Sequence, residues 1–359
     1  MAQDSELCDR MTTTRTACIV YVANADSGDI SVLRADPEGG ALGTVQTLAV
    51  GKVVMPLAVS PDRRFLYASL RAEPFTAVSL AIAPRDGTLA LIGSAPLPAS
   101  MAFISTDRRG RFLLSASYGA DLIAVSPIDA DGVVQAAQQV LTTAPKAHAI
   151  RADASNRFVF ATSLGGGVVM QWRFDAGTGV LTRNAPTQVH AREGAGPRHF
   201  AFGTLGALGT SGGPRFLYLL NELDATVDVF ALDAEHGTLS PVQTIATLPP
   251  GFSGEPWAAD IHLTPDGRFL YTSERRASTL AAFRVAADTG RLSIIGHVAT
   301  EAQPRSFAVS PDGRGLYAVG QLSNRLSRYE IDVNSGELCW VEACAVGRNP
   351  NWVEAITLP

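Results

Sequence analysis

The chain has 359 residues, 46% of them hydrophobic and 18% charged, with a formal net charge of −5. That length and apolar content predict a folded protein with a sizeable core and exclude a largely disordered chain. The acidic balance excludes a basic field able to hold a nucleic-acid backbone, so an anionic ligand has to be met by a local group of arginines and no nucleic-acid partner is expected.

In chain order, residues 1–16 come first, polar and partly acidic, without an apolar segment. They are not a secretory signal; they predict a disordered extension in which Met11 is an alternative start. Residues 17–359 are expected to form a single all-β domain. No apolar run approaches the ~18 residues of a membrane span. The four cysteines, Cys8, Cys18, Cys339 and Cys344, have neither a CxxC pair nor zinc-type spacing, which predicts free thiols in a reducing compartment. A cytoplasmic protein is expected, free of membranes, as a monomer or weak homo-oligomer.

TACIVYVANA, near the start of that domain, reads as a strand. VSPDRRFLYASL at 59–70 then sets a pattern that returns as LTPDGRFLYTSE at 263–274 and VSPDGRGLYAVG at 309–320. Each copy is a short apolar strand, a tight turn and a second strand, the signature of a hairpin. Degenerate copies fill the gaps. With the last residue of the RFLY-like word as marker, the repeat falls at Tyr21, Tyr67, Leu114, Phe160, Tyr218, Tyr271 and Tyr317. The longest interval contains GTLGALGTSGGP, 203–214, a Gly-rich insertion within one hairpin. A second word, as in LDAEHGTLS, VAADTGRLS and IDVNSGELC, closes most units, and helical periodicity is nowhere sustained. A period of this length built only from strands and turns predicts a seven-bladed β-propeller with four-stranded antiparallel blades around a central channel. NWVEAITLP at the C-terminus is strand-like, so one blade is expected to be completed from both ends of the chain, which hides the edge strands.

Equivalent repeats make a polar residue stand out where its counterparts are apolar. Twelve residues before the marker, where the innermost strand begins, stand Met55, Ala102, His148, Ala259 and Arg305. PRHFA at 197–201 matches PRSFA at 304–308 and puts Arg198 in the same slot. Four residues after the marker stand Ala25, Arg71, Tyr118, Leu164, Glu222, Arg275 and Gln321. The strands of a hairpin are antiparallel, so both sets are expected at one mouth of the channel. Trp257, Asp260 and His262, from GEPWAADIHL, are expected to border that mouth, and Asp260 and His262, two apart, to share a strand face. His199 should alternate away from Arg198 and pack between blades. His190, His236 and His297 are expected at the surface, and the six histidines make no compact metal-ligand motif, so neither metal nor cofactor is expected.

GAGPRHFAF, NELDATVDVF, WAADIHLTPDGRFLY and TEAQPRSFAVSPDGR resemble, in order and spacing, the lactonase family of seven-bladed propellers, from about residue 17 to the C-terminus. That family includes bacterial 6-phosphogluconolactonases and fungal enzymes that interconvert carboxymuconate and its lactone. The resemblance implies a catalytic set of His148 in KAHAI, Arg198 in GPRHF, Glu222 in NEL and Arg275 in SERRAS. KAHAIRADASNRF departs from the family pattern, which carries a cysteine before the histidine. On this reading His148 or Glu222 activates water and Arg198 or Arg275 stabilises the oxyanion. Arg71 and Arg305 bind the phosphate or carboxylate of a small anionic sugar lactone, with Tyr118, Gln321, Trp257, Asp260 and His262 around it. The leading expectation is hydrolysis of 6-phospho-D-glucono-1,5-lactone to 6-phosphogluconate, a step of the pentose phosphate pathway. Two others stay open: a hydrolase or cycloisomerase for another acidic lactone, and a non-catalytic binding scaffold.

Overall fold

In the computed structural model each Ser/Thr-Pro-Asp word folds into a self-contained turn. Thr264 donates its hydroxyl to Asp266 Oδ1 at 2.6 Å and accepts the Phe269 N–H at 3.1 Å, while Gly267, at φ 71°, donates its N–H to the Thr264 carbonyl. Ser60 and Ser310 repeat the arrangement with Asp62 and Asp312. Local chemistry thus fixes where each hairpin reverses. The structure describes residues 17–35, 41–204 and 215–358. The extension 1–16, with Cys8 and Met11, and all but the first two residues of the Gly-rich insertion lie outside them.

The described strands form seven four-stranded antiparallel sheets, the blades of a seven-bladed β-propeller. Six blades take four consecutive strands. Blade 1 joins Pro350–Thr357 to Cys18–Asn24, Asp29–Ala35 and Gly43–Ala49, so the chain closes the ring with its C-terminal strand, as its two strand-like ends suggest. The innermost strands are Pro350–Thr357 in blade 1, then Val54–Val59, Phe103–Thr106, Ala147–Ala152, Pro197–Thr204, Ala258–Leu263 and Pro304–Val309 in blades 2 to 7. Each touches the inner strands on either side of it, which is how they line one channel.

The apolar core lies in the seams between blades, and both repeated words are built for those seams. Tyr21, Tyr218 and Tyr271, markers of blades 1, 5 and 6, are fully buried. Each donates its hydroxyl to a glycine carbonyl of the next blade: Gly87 at 2.9 Å, Gly290 at 3.0 Å and Gly336 at 2.9 Å. These are the glycines of the second word. At Gly290, φ is 65° and a Cβ would stand 2.6 Å from the Phe216 ring of blade 5, so both the backbone and the seam demand glycine.

One irregularity recurs where the inner strands begin. In blades 2, 4, 5 and 6 two inner-strand residues face a single residue of the second strand: Met55 and Pro56, His148 and Ala149, Arg198 and His199, Ala259 and Asp260. These β-bulges break strict alternation and re-aim side chains toward the channel.

Gly290→Ala is expected to lower the unfolding free energy by about 1–3 kcal/mol through strain and overpacking in the seam. Urea unfolding of the variant against the parent protein measures this; equal midpoints would mean that the seam has room to spare.

Candidate active site

The two sets of mouth residues are locked at one height by backbone hydrogen bonds. Each member of the second set follows directly on its strand, and in six blades its N–H donates to the carbonyl of the residue two before the upper slot. The six are Ala25 to Asn349, Arg71 to Val53, Leu164 to Lys146, Glu222 to Gly196, Arg275 to Trp257 and Gln321 to Gln303, at 2.8–3.2 Å. In blade 5 that carbonyl belongs to Gly196 of GAGP, at φ 72°, in the turn that delivers Pro197 and Arg198 to the mouth.

Glu222 is the hub. Its Oε2 forms ion pairs with Arg198 Nε at 2.8 Å and Arg275 Nη2 at 3.0 Å, and its Oε1 accepts Trp257 Nε1 at 3.2 Å. Arg198 is 1% exposed and also donates to the Ala259 carbonyl; Arg275 lies 3.9 Å above the Trp257 ring and donates to the Trp257 and Ala258 carbonyls. Burial alone would raise the Glu222 pKa, but the two arginines outweigh it and hold the carboxyl below its usual range. Burial, with Arg198 beside it, pulls Arg275 down to about 9, so the guanidinium keeps its charge at neutral pH.

His148 faces this hub from blade 4. It is 4% exposed, and burial followed by the charges of Arg198 and Arg305 pushes its pKa well below 6.5, which leaves a neutral imidazole. Its ring meets Tyr118 edge-on at 5.8 Å, and its Nδ1 has no hydrogen-bond partner. Among the described residues no carboxylate touches it, and Glu222 is engaged with the arginines.

Arg71 and Arg305 complete the mouth. Arg71 donates to Ser100 Oγ at 2.8 Å and leans on Met55 Sδ at 3.6 Å; Arg305 Nε is buried without a partner. Among the described residues neither arginine forms an ion pair. Gln321 is tied on both sides, accepting from Gln303 and donating to Asn349.

Three placements differ from the sequence reading. His199 does not pack between blades: the bulge sends it into the channel, where its ring meets Phe103 of blade 3 at 5.1 Å and Trp352 of blade 1 at 5.7 Å. Asp260 sits at that same step below the mouth and holds His199 Nδ1 at 2.8 Å. His262 is two residues further along its strand, opposite Tyr271, and reaches Asp260 Oδ2 at 3.3 Å, so the two share a face as expected but lie inside the channel; Trp257 alone of the three is at the mouth. Asn351, in the C-terminal strand of blade 1, is an upper-slot residue that the spacing argument missed, because no marker follows it in the chain to count back from. Deeper down, Arg151, His262 and Glu354 occupy equivalent positions opposite their markers. Among the described residues no cluster of His, Cys, Asp or Glu fits a metal ion.

A seven-bladed ring with a neutral histidine facing an Arg–Glu–Arg cluster at one mouth marks an enzyme-type propeller. The chain belongs to the lactonase family of seven-bladed β-propellers, whose family model matches residues 12–355. It is 42% identical, over 93% of its length and 96% of the relative, to a 6-phosphogluconolactonase of Yersinia pestis (strain Pestoides F). It is 41% identical to a 6-phosphogluconolactonase of Pectobacterium carotovorum, over 95% of this chain and 99% of that one. Among solved structures, a periplasmic gluconolactonase of Pseudomonas aeruginosa superposes with a TM-score of 0.87 at 28% identity, covering 96% of this chain and all of its own.

Glu222→Gln strips the buried Arg198 of its counter-charge and is expected to destabilise the protein at pH 7 by about 3 kcal/mol. Because the folded pKa of Glu222 is depressed, the ion pairs stabilise fully above the ordinary carboxylate value and fade as pH falls through the lowered one. The stability gap between parent and variant, read from urea unfolding at several pH values, should therefore be wide at pH 7 and close in acid.

Proposed function

We propose that the protein hydrolyses 6-phospho-D-glucono-1,5-lactone to 6-phosphogluconate, a step of the oxidative pentose phosphate pathway, at the mouth ringed by His148, Arg198, Glu222 and Arg275. The observation that carries this choice of substrate is the charge balance. Four guanidinium groups, Arg71, Arg198, Arg275 and Arg305, gather at the mouth around Glu222, which engages Arg198 and Arg275; the next carboxylates, Glu274 and Asp260, act on those same two arginines. Arg71 and Arg305 keep uncompensated charge, and a phosphate dianion supplies the oxygens and the charge they lack.

In this mechanism neutral His148 accepts a proton from water as the oxygen attacks the lactone carbonyl. The negative charge that develops on the carbonyl oxygen lies against Arg198 or Arg275, whose positions Glu222 and the Trp257, Ala258 and Ala259 carbonyls fix beforehand. The histidine then returns its proton to the ring oxygen as the C–O bond breaks, and the carboxylic acid formed ionises. Glu222 is a weak base because two arginines hold it ionised, which favours His148 for proton transfer and leaves Glu222 to place the arginines. Substrate contacts for Tyr118, Trp257 and Gln321 remain part of the proposal, at the rim. The sparse free cysteines support a cytoplasmic location.

The likeness to a gluconolactonase favours one second reading, an unphosphorylated aldonic lactone as substrate. A pH-indicator assay over 6-phosphogluconolactone, gluconolactone and a carboxymuconate separates the readings, since ring opening releases a proton. His148→Gln is expected to lower kcat by about 10²- to 10⁴-fold. Arg305→Met is expected to raise KM for the phosphorylated lactone by roughly 10- to 100-fold, the scale of a lost charge-assisted hydrogen bond, and to leave gluconolactone almost unaffected. Equal turnover of both lactones, with Arg305→Met neutral toward each, would remove the phosphate from the proposal.

A further inference from the structure

Directly beneath the mouth the channel is crossed by three rings from three non-neighbouring blades. Phe103, His199 and Trp352 meet edge to face, with centroids 5.1–5.7 Å apart, and all three are at most 5% exposed. His199 is the polar member of this floor. Its ring also stands 5.1 Å from that of His148 at an interplanar angle of 68°.

The hydrogen bonds of Asp260 decide which nitrogen of His199 carries the proton. Asp260 accepts the Ile261 N–H at 3.0 Å and the Phe307 N–H at 3.4 Å, and His262 Nε2 lies 3.3 Å from its Oδ2. With those donors it is an ionised carboxylate, although burial opposes the charge, and its pKa lies well below the ordinary value. Nδ1 of His199, 2.8 Å from Asp260 Oδ1, therefore donates, and burial keeps the ring neutral with a pKa of about 3. Nε2 is left with its lone pair, buried and without a partner, as is Nδ1 of His148.

Consider the charge that the mechanism creates. When His148 takes a proton from water, an imidazolium appears in a pocket already crowded with cations. The groups facing His148 are Tyr118 from blade 3, Arg198 and His199 from blade 5, Arg275 from blade 6 and Arg305 from blade 7. None is a carboxylate. Asp260, which faces His199 and His262 with Arg151 and Glu354 further along the channel, is the anion that reaches this pocket through a single ring.

We infer that His199 and Asp260 are positioning residues for the proposed base: Asp260 fixes the His199 tautomer, and the His199 ring fixes the His148 ring and offsets the charge that His148 gains. This rests on the reading of His148 as the base. Through such a pair a buried carboxylate steers a base at one remove, whereas the carboxylate of a catalytic triad is hydrogen-bonded to its histidine directly.

The test has a spectroscopic arm and a kinetic arm, both on the full chain. In ring-labelled protein, long-range proton–nitrogen correlation should show His199 as the neutral Nδ1–H tautomer at neutral pH; the Nε2–H tautomer would overturn the proposal. Asp260→Asn, checked for folding by its melting curve, removes a negative charge, so the imidazolium of His148 is less favoured. Its titration, with the resonance assigned through His148→Gln, and the acidic limb of kcat/KM should both move to lower pH by roughly one unit, with kcat down about 10-fold and KM unchanged. His199→Gln should reproduce the kinetic change, so the inference survives if Asp260→Asn fails to fold. A loss of kcat with the acidic limb unmoved would reveal a merely structural role. If His148→Gln proved fully active, the base assignment would fail, while the titration of His148 in Asp260→Asn would still report on the coupling itself.

Discussion

The molecule depends on one pairing between its two ends. Pro350–Thr357 lies antiparallel to Cys18–Asn24, and this pairing, with the apolar seam that packs blade 1 on blade 7, turns a row of seven sheets into a ring. Without it blade 1 would lack its innermost strand and present an open edge toward the channel. The pairing also carries chemistry, because the C-terminal strand brings Asn351, Trp352 and Glu354 into the channel. Closure holds the inner strands at a common radius, and only then do residues from blades 4, 5, 6 and 7 meet across a few ångströms at the mouth.

The energetics of that mouth are not those of a stabilising core. Burying Arg198, Arg275 and Glu222 removes three ions from water, a cost that their mutual attraction does not reliably recover, and well-packed apolar residues in their place would often be at least as stable. Arg71 and Arg305 add charge with which no described carboxylate forms an ion pair. The seams between blades, with their buried tyrosines and close glycines, carry the stability that the mouth gives up. The channel is thus a place where structure is spent on holding charges ready, and preorganisation of this kind is what stabilising a transient oxyanion requires.

Much of this was legible in the repeats. The markers located the second strand of every blade, the Ser/Thr-Pro-Asp words located the reversals, and equivalence between units picked out His148, Arg198, Glu222, Arg275 and Arg305 as residues of one mouth. What repeat spacing could not convey was direction. His199 was misplaced because alternation was assumed through Arg198, whereas a bulge turns both residues inward, and bulges arise from strand pairing that no local pattern announces. The equivalent bulge of blade 6 puts Asp260 a step inside the mouth instead of on its rim. Asn351 escaped because its strand belongs to a blade begun at the other end of the chain. The ring contacts among Phe103, His199 and Trp352 join blades 3, 5 and 1, and nothing within one repeat foretells them.

The bulge at the start of the inner strands separates two tasks that a regular strand confounds. In an ordinary strand, changing a channel residue disturbs its neighbour in the blade core, since the side chains alternate. In blade 5 two consecutive positions, Arg198 and His199, project into the channel before alternation resumes, so both can change without a partner in the blade core being displaced. A substitution at either position then changes a channel side chain while the hydrogen-bonded frame of the blade stays as it was.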